Sequence, residues 1–221
     1  MGMRRELVPA GFYFAGMTCL GCRNWSSERV CALCTRRSSP GGAQRLPGGL
    51  IVKSAFVHNG APRDIVHRLK FEGLLTAAWW LANAAAPLLD QMPGVLVPVP
   101  RTSTRRLKYG IDPALALARA LGRLTRRSVE RPLRAPVWAA GHTGRDSARR
   151  RPPIFFSRVV NGPIVLIDDV VTTGSTLHSA AAVLGAGVVG AVTATRTMKV
   201  TSLFVCGDDR SADGPRLPDW R

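Results

Sequence analysis

The chain has 221 residues, 46% of them hydrophobic, which is enough for one good-sized core with a small appended module and too little for two large domains. Its 31 Lys and Arg stand against 14 Asp and Glu, a formal net charge of +17 that favours an anionic partner (phosphate, nucleic acid or an anionic membrane surface) without choosing among them. The excess is local: residues 119–158 hold eleven Arg and two acids, Glu130 and Asp146, and both a solvated arginine-rich surface and contact with phosphates fit that run.

At the N-terminus, Arg4 and Arg5 precede LVPAGFYFAGM, which imitates a secretory leader, but no small-x-small cleavage site follows. A cytoplasmic protein is expected. Cys19, Cys22, Cys31 and Cys34 then lie in CLGCRNWSSERVCALC, two C-x-x-C pairs separated by eight residues. Each pair puts two thiolates on a tight knuckle, and two knuckles complete the tetrahedral sulfur shell that zinc prefers. The alternatives are a redox pair, disulfides or an iron–sulfur site. A redox C-x-x-C usually occurs once, at a helix start, and disulfides do not persist in a reducing cytoplasm. Four protein ligands leave zinc no open position for water, so a structural site is expected, the metal supplying the folding free energy of a module of roughly 20 residues. Cys206 reads as a small apolar residue in VTSLFVC.

From Arg36 to Gly49 the chain is rich in Gly, Pro and Ser and reads as a linker. Beyond it strands and helices alternate. LIVKSAFV reads as a strand, APRDIVHRLKFEG and LLTAAWWLANAAAPLLDQ as helices, and GVLVPVP as a buried strand ending in prolines. DPALALARALGRL is helical, with Pro113 suited to a first turn, and SVERPLRA reads as a short strand. PIVLIDD is the clearest strand, STLHSAAAVLGAG the clearest helix, and VVGAVTATRTM the next strand. Residues 175–195 carry no Lys, Arg, Asp or Glu, yet Ser175, Thr176, His178, Ser179 and three glycines argue for a buried helix–turn–strand and against a membrane span. The expected organisation is a metal-binding module (1–36), a linker (37–49), a doubly wound, mostly parallel α/β domain (50–206) and a loose tail (207–221).

Ligands of such sheets bind beyond the carboxyl ends of strands, which draws attention to Pro100–Arg101 and to Asp168–Asp169. In PIVLIDDVVTTGSTL (163–177) the small residues Thr172, Thr173, Gly174, Ser175 and Thr176 read as a loop whose backbone N–H groups and hydroxyls cradle a phosphate at a helix N-terminus. Carboxylates repel a phosphate at contact distance, so Asp168 and Asp169 are expected to address another part of the ligand. Two acceptor-only groups suit a vicinal diol, and diol plus terminal phosphate describes a ribose 5-phosphate. An acidic metal site or a receiver-like aspartate pocket also places such a pair at a strand end. No G-x-x-x-x-G-K-[ST] and no G-x-G-x-x-G after a strand is present.

IDDVVTTGST resembles the phosphoribosyl pyrophosphate (PRPP) signature of type I phosphoribosyltransferases. The order of a four-cysteine zinc ribbon-like N-terminus, HRLKFEG, VPVP and that signature resembles the ComF family, proteins linked to DNA uptake by competent bacteria. The resemblance covers roughly residues 10–198. It implies that Asp168 and Asp169 hold the ribose hydroxyls and stabilise an oxocarbenium-like centre, that Thr172–Thr176 bind the 5-phosphate, and that Arg101, Arg105 and Arg106 meet the pyrophosphate together with Mg²⁺. The chain departs from the family where R-G-F-N-Q-A is usual, having Tyr109, Gly110, Ile111, Asp112, Pro113 and Ala114, and again at His142, Thr143, Gly144, Arg149 and Pro152. Two functions follow as expectations: phosphoribosyl transfer to an unknown acceptor, or a basic single-stranded-DNA-binding accessory of DNA uptake or repair with a PRPP-sensing pocket, in contact with the uptake machinery.

Lys70 in RLKFEG either faces the cleft or caps a helix, Trp79 and Trp80 read as core or interface, and His58, His67 and His178 have no partner at ligand spacing.

Overall fold

The computed structural model of the chain describes residues 17–100, 111–134 and 157–198. In chain order the elements are β1 (Met17–Thr18), β2 (Trp25–Ser26), α1 (Ala32–Arg36), β3 (Pro40–Arg45), β4 (Ile51–Val57) and α2 (Gly60–His67). A π-helical turn (Arg68–Glu72), α3 (Leu75–Ala85), a 3-10 turn (Ala86–Leu89) and β5 (Val95–Pro98) come next. α4 (Pro113–Thr125), β6 (Ile164–Val171), α5 (Ser175–Leu184) and β7 (Val188–Arg196) complete them.

Five strands form one sheet in the order β3-β4-β7-β6-β5. β4, β7, β6 and β5 run parallel, and β3 is antiparallel on the β4 edge. The fold is therefore mixed α/β with a mostly parallel sheet. Both faces are covered, which is why the strands read as continuous apolar runs. On one face Val165, Ile167, Val192 and Ala194 pack under residues of α2, α3 and α4; on the other Leu166, Ala191 and Val52 pack under Leu177 and Ala180 of α5. Ile164 to Ile167 are all buried, and each such side chain contributes about 1.5–3 kcal/mol of apolar burial.

Local chemistry sets the helix limits. Pro113 fills the first helical position of α4, as its sequence predicts, and the Asp112 carboxylate caps the helix by accepting the Leu115 N–H at 3.2 Å. α3 turns Ala77, Ala78, Leu81, Ala82 and Ala85 inward, a small-residue face that lets α4 pack closely. Trp80 stacks on Phe56 with ring centroids 4.9 Å apart, while Trp79 is exposed.

Two elements differ from the sequence reading. Residues 40–45, expected within a linker, form β3, paired with β4 from Pro40↔Phe56 to Arg45↔Ile51. Glycine makes this approach feasible: a Cβ on Gly41 would stand 2.4 Å from the Ser54 carbonyl oxygen. SVERPLRA does not form a continuous strand: Val129 makes an isolated parallel bridge with Leu96, and Pro132 has no N–H to extend a ladder. None of the described helices is long and apolar enough to cross a membrane. Cys206 and the expected tail lie outside the described residues.

Candidate functional site

Because β4, β5, β6 and β7 are parallel, their carboxyl ends share one edge of the sheet. β6 delivers Asp168 and Asp169 to that edge, followed by the loop that opens α5. Asp168, Val170, Val171, Thr172, Gly174, Ser175, Thr176 and Leu177 line a shallow notch of about 20 Å³ there. Gly174 is the N-cap of α5 at φ +77, and a Cβ on it would stand 2.4 Å from Leu46 Cδ1. Glycine is thus required both by the backbone turn and by the close approach of Leu46. Thr173 Oγ1 accepts the Ser175 N–H at 3.4 Å and lies 3.2 Å from Ser175 Oγ, drawing the loop together.

The two acids have different surroundings. The Asp168 carboxylate accepts the Asp169 N–H at 2.8 Å. Burial pushes the Asp168 carboxyl well above the usual carboxylate range and the neighbouring Asp169 charge adds to this, against the pull of that N–H and of Lys70. Asp169 is buried, and its Oδ2 meets Lys70 Nζ at 3.0 Å. Lys70 therefore faces the strand ends. It is carried there by the π-helical turn that extends α2 and stops at Gly73, which adopts φ +69.

His58, at the end of β4, is a member of this constellation that spacing along the chain does not reveal. Its Nδ1 lies 2.8 Å from Thr195 Oγ1 on β7, and Thr195 Oγ1 in turn donates to the Asp169 carbonyl at 3.3 Å. Burial holds His58 below its ordinary value, Lys70 adds to this and Asp169 opposes it. His178 is bound elsewhere, 3.1 Å from the Pro47 carbonyl, and His67 is in ring contact with Phe71. Arg101, Arg105 and Arg106, with Tyr109, Gly110, His142, Thr143, Gly144, Arg149 and Pro152, lie outside the described residues. A larger groove of about 440 Å³ lies away from the strand ends, lined by residues including Asn83, Asp90 and Arg127.

The four cysteines come together as their spacing predicts. All four sulfurs lie within 4.8 Å of one another, none is in a disulfide, and Cys22 and Cys31 are 3.8 Å apart. A tetrahedron with zinc–sulfur bonds of about 2.3 Å separates its sulfurs by about 3.8 Å. Cys19 Sγ accepts the N–H of Gly21 at 3.4 Å and of Cys31 at 3.2 Å. Burial raises the Cys19 thiol, but N–H groups of Cys31, Cys22 and Gly21 outweigh it and bring it down to about 6. Cys34 is pushed up to about 12 by burial, by hydrogen bonds with the other thiols and by the Cys19 charge. Four thiolates this close repel unless a cation joins them, so the cluster is suited to a metal ion such as zinc.

The cysteine module is not a separate bead. Cys19, Leu20, Val30 and Cys34 share the core cluster with Ile65, Val66 and Leu69. A Cβ on Gly21 would stand 2.8 Å from Ala61 Cβ in the first turn of α2. Arg23 also pairs with Glu72 of the π-helical turn at 2.6 Å.

A scan against protein-family models finds none that matches the chain, and a search of curated proteins likewise finds no match.

Proposed function

We propose that the protein binds PRPP at the carboxyl end of β6 and transfers its phosphoribosyl group to an acceptor with release of pyrophosphate, on a type I phosphoribosyltransferase-like fold of the ComF kind. The observation that carries this reading is the continuity of strand, acids and small-residue loop. Asp168, Thr172 and Gly174–Thr176 share one notch, and Asp169 is fixed beside it by Lys70. The loop takes the 5-phosphate and the acids address the ribose hydroxyls. As the C1–oxygen bond to pyrophosphate breaks, its electron pair leaves with the pyrophosphate, and the carboxylates stabilise the positive charge that develops on the ribose.

Among the described residues no trio of Cys, His, Asp or Glu other than the four cysteines stands close enough to hold a metal. Magnesium would come to this site with PRPP and would neutralise pyrophosphate charge there. Zinc is the metal of the cysteine cluster, in a structural role. Incubating the protein with PRPP, Mg²⁺ and a panel of nucleobase, amine and carboxylate acceptors tests the transfer. Acceptor-dependent pyrophosphate release is expected, and binding of PRPP without release under every acceptor would make the pocket a sensor.

One specific observation favours a second reading, a single-stranded-DNA-binding accessory of DNA uptake or repair. Trp25 is 71% exposed on the cysteine module, which also carries exposed Arg29, Arg36 and Arg37. An open aromatic face with nearby cations in sequence suits base stacking and phosphate contact. Fluorescence titration with a single-stranded oligonucleotide should show Trp25-dependent affinity that falls steeply with salt; no change in Trp25→Ala would reject this surface.

A further inference from the structure

Phosphoribosyl transfer leaves one proton to be placed. An acceptor N–H or O–H that bonds to C1 must give up its hydrogen, and in that reaction Asp168 and Asp169 face the ribose, Asp169 being paired with Lys70 as well. His58 is a titratable side chain at the same strand ends with no part yet in the chemistry. It directly follows β4, its N–H donates to the Arg196 carbonyl at 2.6 Å, and it is half-buried.

The hydrogen bonds around the ring select its tautomer. The Asp169 carbonyl can only accept, so the Thr195 hydroxyl directs its one proton there, at 3.3 Å. Toward His58 the same oxygen then accepts, and Nδ1, 2.8 Å away, carries a hydrogen. The reverse arrangement, with Thr195 donating to Nδ1, makes one bond where this one makes two. Thr195 is fully buried, so water does not replace the lost bond. With Nδ1 protonated, the neutral imidazole keeps its lone pair at Nε2, which has no hydrogen-bond partner among the described residues.

The charges near the ring keep it neutral. Burial lowers its pKa first and Lys70 of the π-helical turn second; Asp169 of β6 opposes them, and Arg63 and His67 of α2 add to the lowering. Two hydrogen bonds through Thr195 tie the ring to the main chain of Asp169, so the base and the acids are held in one frame. A neutral imidazole with an available ring nitrogen is what proton abstraction near neutral pH requires.

We propose that His58 Nε2 is the general base of the transfer, with Thr195 positioning its ring. Nε2 takes the proton of the acceptor as the acceptor's lone pair forms the bond to C1 and the C1–oxygen electron pair leaves with pyrophosphate. The proposal rests on the phosphoribosyl reading and narrows it: the acceptor is a neutral N–H or O–H nucleophile.

Two measurements test it. Long-range ¹H–¹⁵N NMR of the histidine rings in the full chain reads the tautomer, the His58 signals being identified by their loss in His58→Asn. A neutral ring protonated at Nδ1 is expected, and one protonated at Nε2 overturns the proposal. His58→Asn sets an amide N–H in the place of Nδ1–H, keeping the Thr195 contact without a base. With Mg²⁺ and a nucleobase or amine acceptor it should bind PRPP as tightly as the wild type and lose about 10²-fold or more of acceptor-dependent pyrophosphate release. The wild-type rate should fall as pH drops through the lowered His58 value, and that acid limb should be missing from His58→Asn. PRPP bound by the wild type without turnover, or with turnover that His58→Asn leaves unchanged, overturns the base and leaves the PRPP site standing. No PRPP binding to the wild type removes both.

Discussion

Lys70 Nζ lies 3.0 Å from Asp169 Oδ2, an ion pair that ties the π-helical turn after α2 to the end of β6 with side chains only 20% and 9% exposed. A pair this enclosed differs from the surface bridges Arg23–Glu72 and Arg63–Asp64, whose side chains are well exposed and contribute little each. Removing one partner of an enclosed pair leaves the other charge stranded. Lys70→Met is expected to cost about 2–3 kcal/mol, somewhat below the range for fully buried pairs because Lys70 keeps some solvent. Thermal unfolding should show a drop of roughly 5–10 °C, with much of it recovered in Lys70→Met/Asp169→Asn. An unchanged midpoint would mean that the pair does not form in solution.

Asp168 carries the opposite kind of consequence. Its folded pKa is raised, chiefly by burial, so the stability linked to its proton is fully present below the ordinary carboxylate value and is lost as pH rises through the raised one. Asp168→Asn removes that loss. The variant should therefore melt above the wild type at about pH 8, and the difference should shrink toward about pH 4, where the wild-type carboxyl is protonated. A variant less stable at the higher pH would show that the carboxylate is favourably solvated.

Gly174 holds φ +77 with Leu46 Cδ1 where a Cβ would go. Gly174→Ala should cost roughly 2 kcal/mol or more from backbone strain and overlap together. In a Leu46→Ala background the added cost of Gly174→Ala should fall, since only the strain remains. Equal costs in both backgrounds, measured by denaturant unfolding, would show that Leu46 does not press on this loop.

Metal removal should reach beyond the cysteines. Structural zinc in finger peptides supplies about 10–16 kcal/mol of apparent binding free energy, and here Leu20 and Val30 share a core cluster with Ile65 and Val66. Elemental analysis should give about one zinc per chain. Hydrogen exchange after chelation should rise in α2 and the π-helical turn as well as in the module. Increased exchange confined to residues 17–36 would show that the module folds independently of α2.

What the sequence made legible depended on range. The apolar run 164–167, the Asp112–Pro113 start of α4 and the paired C-x-x-C spacing are local signals, and each reappears as a strand, a capped helix and a sulfur cluster. β3 was hidden because its backbone supplies the pairing: Gly41 and Gly42 look like linker, yet a bare backbone is what the approach to Ser54 needs. The partners of Asp169 were hidden for a different reason. Lys70 lies 99 positions earlier, and the π-helical turn that aims it adds residues per turn that a 3.6-residue period does not capture. His58 is likewise joined to Thr195 across 137 positions, a contact that only the strand order β4-β7-β6 creates.

The central claim is that the end of β6 is a PRPP site, and calorimetry with PRPP tests it most directly. The account predicts saturable binding that requires Mg²⁺ and is lost in Asp168→Asn/Asp169→Asn, with circular dichroism showing that the variant keeps its fold. Binding of equal strength in the folded double variant, or no binding to the wild type with Mg²⁺ present, would contradict it.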